Sequence, residues 1–192
     1  MSSTVGDAGR RSTRGEGHSA LVVAARLEFE EQGYAGTNTN AIARRAGYAP
    51  QTFYRHFPDK RAIFIAIYDR WASEEERALA NATSAEDIAS ALIAHHKRHR
   101  IFRRSLRLLT VEDDEVGCAR ARVRLAQIAA MRTRSAAFAL LNFADQVATL
   151  LIIERICDAA ADGELERLGV DETETKGLVV QIIDKLFEDS NR

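Results

Sequence analysis

Proline, the residue that most reliably interrupts a helix, occurs only twice in 192 residues, at Pro50 and Pro58. A chain so poor in breakers, with alanine-rich segments whose apolar residues recur every three or four positions, predicts an all-α fold. No run alternates apolar and polar residues between turn signals, as a half-buried strand does. The 46% hydrophobic content excludes wholesale disorder, and 2 cysteines exclude a disulfide scaffold. Cys118 and Cys157 read as free thiols of a reducing compartment. No stretch of about 18 uncharged apolar residues is present, so no membrane span is expected. The Ser/Gly/Arg-rich start lacks the apolar centre of a secretory signal. The expected location is cytoplasmic.

Start and stop signals divide the chain into about nine helices in three segments. Residues 1–17 read as a flexible basic arm carrying Arg10, Arg11 and Arg14. Residues 18–64 hold a three-helix domain. A first helix over about 18–32 carries Leu21, Val22, Ala25 and Phe29, and Gly33 ends it. Asn38 caps a short helix over about 39–46, Gly47 closes it, and Pro50 opens a third helix reaching about His56. Pro58 precedes a fourth helix, 59–81, which leads into residues 65–192, a helical bundle. There, Ser84 and Asp87 form a capping box before a helix of about 85–100. A short helix near 102–109 follows. A second box, Thr110 with Asp113, starts a long helix over about 111–138. A break near Asn142, a helix to Ala161 and a last helix capped by Asp171 complete the order.

Charge is unevenly placed. Residues 1–61 hold nine cations against six anions, while acids exceed bases in the rest. The difference is modest and agrees with an anionic partner for the front of the chain.

The second and third helices, joined by Ala46-Gly47-Tyr48-Ala49, form a helix-turn-helix. Gly47 allows a left-handed turn, Ala43 permits a close crossing, and Ile42, Phe53 and Phe57 fill the core beneath. This leaves Pro50, Gln51, Thr52, Tyr54 and Arg55 on the exposed part that enters a major groove. Gln51 has the donor and acceptor to read an adenine edge. Thr52, Tyr54, His56 and Lys60 offer hydroxyls and nitrogens to phosphates. Asn38 begins a helix whose N–H groups face an anion.

Residues 19–64 resemble the DNA-binding domain of the tetracycline-repressor (TetR) family of bacterial transcription regulators. The resemblance rests on Ala24-Ala25, Phe29, Gly33-Tyr34, Thr37-Asn38, Ile42-Ala43, Ala46-Gly47 and the run Thr52-Phe53-Tyr54-Arg55-His56-Phe57-Pro58-Asp59-Lys60. It implies a homodimer on a palindromic double-stranded DNA operator and a divergent C-terminal domain that binds a small-molecule effector. By motif position, Pro50, Gln51 and Tyr54 lie nearest the bases. Tyr54, Thr52, His56 and Lys60 meet phosphates, and Arg44 and Arg45 on the positioning helix touch the backbone. The arm is expected either to enter a minor groove or to be a plain tail. Three positions depart from the pattern. Leu27-Glu28-Phe29 exchanges an apolar and an acidic residue relative to the family, so either the helix rotates locally or Glu28 needs a partner. Ala49 replaces the usual capping serine, a loss that Pro50 offsets by presetting φ. Gln51 replaces a small residue, which shifts base preference.

Elsewhere the run His95-His96-Lys97-Arg98-His99-Arg100, continuing to Arg103, Arg104 and Arg107, reads first as a solvated face neutralised by Glu112, Asp113, Asp114 and Glu115. A site for an anionic effector is the second reading. His95 and His99 stand at a spacing that can hold a metal, but no third ligand follows, so no metal is expected. Trp71, His95, His99, Phe102, Leu106, Met131, Phe138, Asn142 and Gln146 are candidates to line an effector cavity, the apolar members serving equally as core. The breadth of apolar surface on the last two helices, including Leu150, Ile153, Leu178, Ile182 and Leu186, reads as a dimer face. No phosphate loop, nucleophile elbow or metalloprotease motif is present, so neither an enzyme nor a cofactor is expected. The rivals are a DNA-binding dimer governed by a protein partner, for which a filled C-terminal core would argue, and a helical enzyme using His95, His99 and the acids after Thr110.

Overall fold

In the computed structural model, which describes the backbone of residues 5–188 and the side chains of residues 15–185, eleven helices and no strand occur among the described residues. Two short helices, α8 (Ala136–Leu140) and α10 (Glu164–Arg167), account for the excess over the nine expected. The chain divides into two units, Met1–Arg70 and Trp71–Arg192. The boundary falls inside α4 (Lys60–Ala80), a few residues later than the sequence places it.

In the first unit, α1 runs Val5–Gly36, so helix extends through the segment expected to be an arm. No proline stands before Pro50 to stop it. The side chains of Arg10, Arg11 and Arg14 lie outside the described residues. Gly33 interrupts α1 with φ of 67°, the left-handed conformation expected there. Asn38 caps α2 (Thr39–Arg45), its Oδ1 accepting from the Ala41 N–H at 2.9 Å. Gly47 has φ of 79°, and Pro50 opens α3 (Pro50–Tyr54) without any side-chain cap from Ala49. Leu21, Ala25, Phe29, Ile42, Ala43, Phe53, Ile63 and Phe64 are buried together in this unit. Asp59 caps α4 by accepting from the Ala62 N–H at 2.7 Å, directly after Pro58.

A Cβ at Gly47 would meet no atom within 4 Å, so only the backbone conformation resists a side chain there. Gly47→Ala is expected to destabilise the unit by about 1–2 kcal/mol, the usual cost of a left-handed L-residue. Urea unfolding of the two proteins measures this directly. No change would mean the turn relaxes to another conformation.

In the second unit, α5 (Ala85–Arg98), α9 (Phe143–Ala161) and α11 (Glu172–Glu188) share a core of Ala89, Ile93, Ile153, Cys157, Val179 and Ile183. The Ser84–Asp87 capping box forms as expected, and Asp171 caps α11 through the Glu174 N–H at 2.8 Å. Around them run α6 (Arg100–Glu112) and α7 (Asp114–Arg134). The second expected box does not form. Thr110 lies inside α6 and donates to the Leu106 carbonyl, while Asp113 is itself the cap, accepting from Glu115 and Val116. The long helix expected to reach residue 138 breaks at Ser135, whose hydroxyl accepts from the Phe138 N–H and starts α8. Asn142 marks the expected break by capping α9, and it is exposed there rather than lining a cavity.

The expected dimer face is only partly available. Ile153 is buried in the intramolecular core and Ile182 packs half-buried against it, because α5 takes up the inner side of α9 and α11. Leu150 is half-buried, Leu178 is exposed, and Leu186 lies outside the described side chains. The exposed stripe of α9 is instead Ala144, Ala148, Leu151 and Ile152, following helical spacing. Among the described residues, no helix is long and apolar enough to cross a membrane.

Candidate nucleic-acid interface

Burial of Phe53 and Phe57 beneath the turn fixes which side of α3 faces out. Pro50, Gln51, Tyr54 and Arg55 are exposed, and Thr52 is half-buried at the edge. Thus the three residues expected to read bases share one exposed surface. The Tyr54 hydroxyl lies 3.0 Å from that of Thr39, the first residue of α2. This pair places two hydroxyls side by side where the two helices meet, a suitable arrangement for a phosphate oxygen. Sequence reasoning did not single out Thr39. Its signal was a hydroxyl directly after the Asn38 cap.

The cations divide into exposed and committed groups. Arg44 is exposed, as is Arg55. Arg45 reaches back to α1, donating to both Glu31 oxygens at 2.7 and 2.8 Å, with Glu28 at 3.4 Å. The hydrogen bond that Arg45 donates to Glu31 raises the arginine's pKa above its ordinary value. Glu28 thereby gains the partner its position required, and the side chain of Arg45 is held on α1. His56 packs against α1, where a Cβ at Gly17 would lie 2.9 Å from its Nε2. The Lys60 ammonium donates to the carbonyls of Tyr34 at 2.7 Å and Thr37 at 2.8 Å, and burial lowers its pKa.

The expected effector residues lie in the second unit. Trp71, His95, His99, Phe102, Leu106, Phe138 and Gln146 are all buried, and Met131 is half-buried. The His95 ring lies between those of Trp71, tilted at 4.6 Å, and His99, edge-on at 4.9 Å. Its buried Nε2 has no hydrogen-bond partner, and burial pushes its pKa down to about 4 against the pull of Glu75. Gln146 donates to the Phe138 and Leu141 carbonyls, tying α9 to α8.

The basic run is a solvated face only in part, through the exposed Arg98, Arg100 and Arg104. His95, His96, His99 and Arg103 are buried, and carboxylates of α9 and of its cap Asp162 pair with Arg103, Arg104 and Arg107. Arg103 donates to Asp158 at 2.8 and 2.9 Å and to Glu154 at 2.8 Å, with its guanidinium 4.8 Å from the Trp71 ring. His96 Nδ1 lies 2.9 Å from Asp158. Arg120 and Arg124 converge on Glu154, and Arg107 and Arg104 on Asp162. Burial favours the protonated acid at both Asp158 and Glu154. The surrounding cations outweigh it, holding Glu154 at about 2 and Asp158 well below the usual carboxylate range. No group of three potential metal-ligating side chains occurs among the described residues.

This geometry defines a helix-turn-helix protein whose second helix of the pair is displayed for a groove. Residues 21–67 match the family described as bacterial regulatory proteins, tetR family. The transcriptional activator FasR of Mycolicibacterium smegmatis is 34% identical over 62 residues, covering 32% of this chain and 28% of FasR. The transcriptional regulator EthR of Mycobacterium tuberculosis is 31% identical over 74 residues, covering 37% of this chain and 34% of EthR. These matches therefore span about a third of the relatives' lengths. A crystal structure of a putative TetR-family transcriptional regulator from Rhodococcus sp. superposes with a TM-score of 0.71 at 17% identity, covering 90% of this chain and 99% of that one. Over residues 21–67 the chain is thus similar to the DNA-binding domain of the TetR family.

Proposed function

We propose that the protein is a homodimeric DNA-binding transcriptional regulator, a repressor released from a palindromic operator by a small-molecule effector. The observation that carries this reading is the exposed surface of Pro50, Gln51, Tyr54 and Arg55 on a helix whose opposite side is buried through Phe53. In this reading Gln51 contacts a base edge, while Arg44, Thr52 and the Thr39–Tyr54 hydroxyl pair meet phosphates. The names of FasR and EthR, both transcriptional regulators, support it. The exposed α9 stripe, continued by Leu178 on α11, supplies the face for a second copy. A closed dimer then offers two recognition helices to successive major grooves.

The effector enters the second unit near Trp71, His95 and His99, where the unbonded Nε2 of His95 offers a polar hold beside the Trp71 ring. Because α4 belongs to both units, a small tilt of that helix transmits the signal. To switch off binding, the effector must favour the wrongly spaced state by several kcal/mol. No cofactor or catalytic step is part of this reading. Asp113, one of the acids an enzyme reading requires, is engaged in capping α7.

Fragments selected from genomic DNA by the protein give its operator. On that duplex, affinity is expected to fall with salt, and Arg44→Ala to reduce the slope of log affinity against log salt by about one. A salt-independent wild type overturns the DNA assignment. Ile152→Asp is expected to yield monomers with weakened operator binding. Persistence of the dimer at nanomolar concentration rejects the α9 face.

A further inference from the structure

We infer that Lys60 serves DNA recognition as a positioning residue, clipping the α1–α2 turn to the start of α4 and so fixing where α2 and α3 stand. The inference rests on the DNA-binding reading above. The motif position suggests a direct phosphate contact, but the geometry gives the ammonium other work.

Two of the three ammonium donors point at backbone carbonyls, of Tyr34 at 2.7 Å and Thr37 at 2.8 Å. The same nitrogen lies 4.0 Å from the centroid of the Tyr34 ring. That ring is itself fixed, stacked on Phe29 at 5.8 Å and meeting the edge of Phe64 at 5.2 Å. The segment being held is irregular. It begins at the left-handed Gly33, which kinks α1, and ends at the Asn38 cap, so no continuous helical ladder defines its path. Thr37 closes it from the other side, its Oγ1 donating to the Gly33 carbonyl at 2.8 Å.

From this turn the setting passes to the reading helix. Thr37 immediately precedes the Asn38 cap, so the place of its carbonyl decides where α2 starts. The link from α2 to α3 runs through the Tyr48 N–H bonded to the Ala43 carbonyl at 2.9 Å and through the Thr39–Tyr54 hydroxyl pair. An ammonium that swung out to a phosphate would leave the Thr37 carbonyl, which is costly for a partly buried polar group. Arg45, held on α1 by Glu31 and Glu28, braces α2 from its other end.

The test compares wild type with Lys60→Met and Lys60→Arg in full-length protein, using operator affinity across salt and amide hydrogen exchange without DNA. Lys60→Met is expected to lose at least tenfold in affinity with an unchanged salt slope. Exchange at the Ala41 and Ile42 amides should quicken at least tenfold, while amides of the second unit keep their rates. Lys60→Arg, which retains donors for both carbonyls, should restore most of the affinity and the protection. A salt slope lowered by about one with unchanged exchange makes Lys60 a phosphate contact and overturns the inference. Uniformly faster exchange throughout the chain, or loss of folding in Lys60→Met, also overturns it, since a clip on one turn does not hold the whole protein. A wild type without salt-sensitive operator binding rejects the DNA reading itself, and the DNA-free exchange data then still decide whether the clip exists.

Discussion

Asp158→Asn is expected to destabilise the second unit by about 3–5 kcal/mol, the cost of breaking a buried ion pair from one side. Asp158 is 2% exposed and is bonded to Arg103, which is 1% exposed, and to His96. The asparagine keeps the size and one acceptor but removes the charge, so Arg103 retains only Glu154 as a carboxylate partner in hydrogen-bond range. Urea unfolding followed by Trp71, the chain's 1 tryptophan, reads this unit directly, because its ring lies against His95 and Arg103. A loss below about 1 kcal/mol would show that water or a shifted arginine compensates the site. The paired change Arg103→Met with Asp158→Leu should cost much less than the sum of the single changes, because neither leaves an unpaired charge behind.

That network also marks the limit of what the sequence discloses. The turn chemistry was legible because it is local. Gly33 and Gly47 take positive φ, Asn38, Ser84 and Asp171 cap helices, and Pro50 opens α3. The exposed side of α3 followed from Phe53 and from Phe57 just beyond the helix, since burying both rings leaves one orientation. The neutralisation of the basic run was misplaced for the opposite reason. Its acids were sought a few residues downstream, whereas Arg103 and Asp158 stand 55 positions apart. The available signal was a matching register. Glu154, Asp158 and Asp162 recur every four residues along the second half of α9 and its cap, facing Arg103 with Arg107 and Arg120 with Arg124 at the same spacing. The dimer face was overdrawn for a related reason. An apolar stripe does not say whether its cover is α5 of the same chain or a second copy, and α5 claims Ile153, Val179 and Ile183.

The stability of the second unit is expected to fall in two stages as pH drops, with a combined loss on the order of 6 kcal/mol between about pH 6.5 and pH 2. The first stage belongs to His95, whose pKa is about 4 when folded against 6.5 as an ordinary value. Between these values the unfolded chain binds a proton that the folded chain refuses, so stability declines as pH falls, by roughly 3 kcal/mol. Burial is the main cause, and the charged or titratable groups acting on His95 are Glu75 and Glu74, which favour its proton, and His99 and His96, which oppose it. The second stage belongs to the α9 carboxylates. Glu154 has a folded pKa of about 2 against 4.5, and Asp158 is lowered further in the same direction. Their stabilisation is complete above about pH 4.5 and is lost on the way to pH 2, Glu154 alone contributing roughly 3 kcal/mol. Unfolding midpoints in urea across this range, read by Trp71 fluorescence, separate the stages. His95→Phe should abolish the decline between pH 6.5 and 4.5 while leaving the steeper loss below it. Glu154→Gln should keep the upper decline and reduce the lower stage to the part that Asp158 contributes, from a reduced starting stability. A wild-type profile level from pH 7 to pH 5 would show that His95 accepts its proton in place, and that the unbonded nitrogen between Trp71 and His99 is open to solvent motion rather than sealed for a ligand.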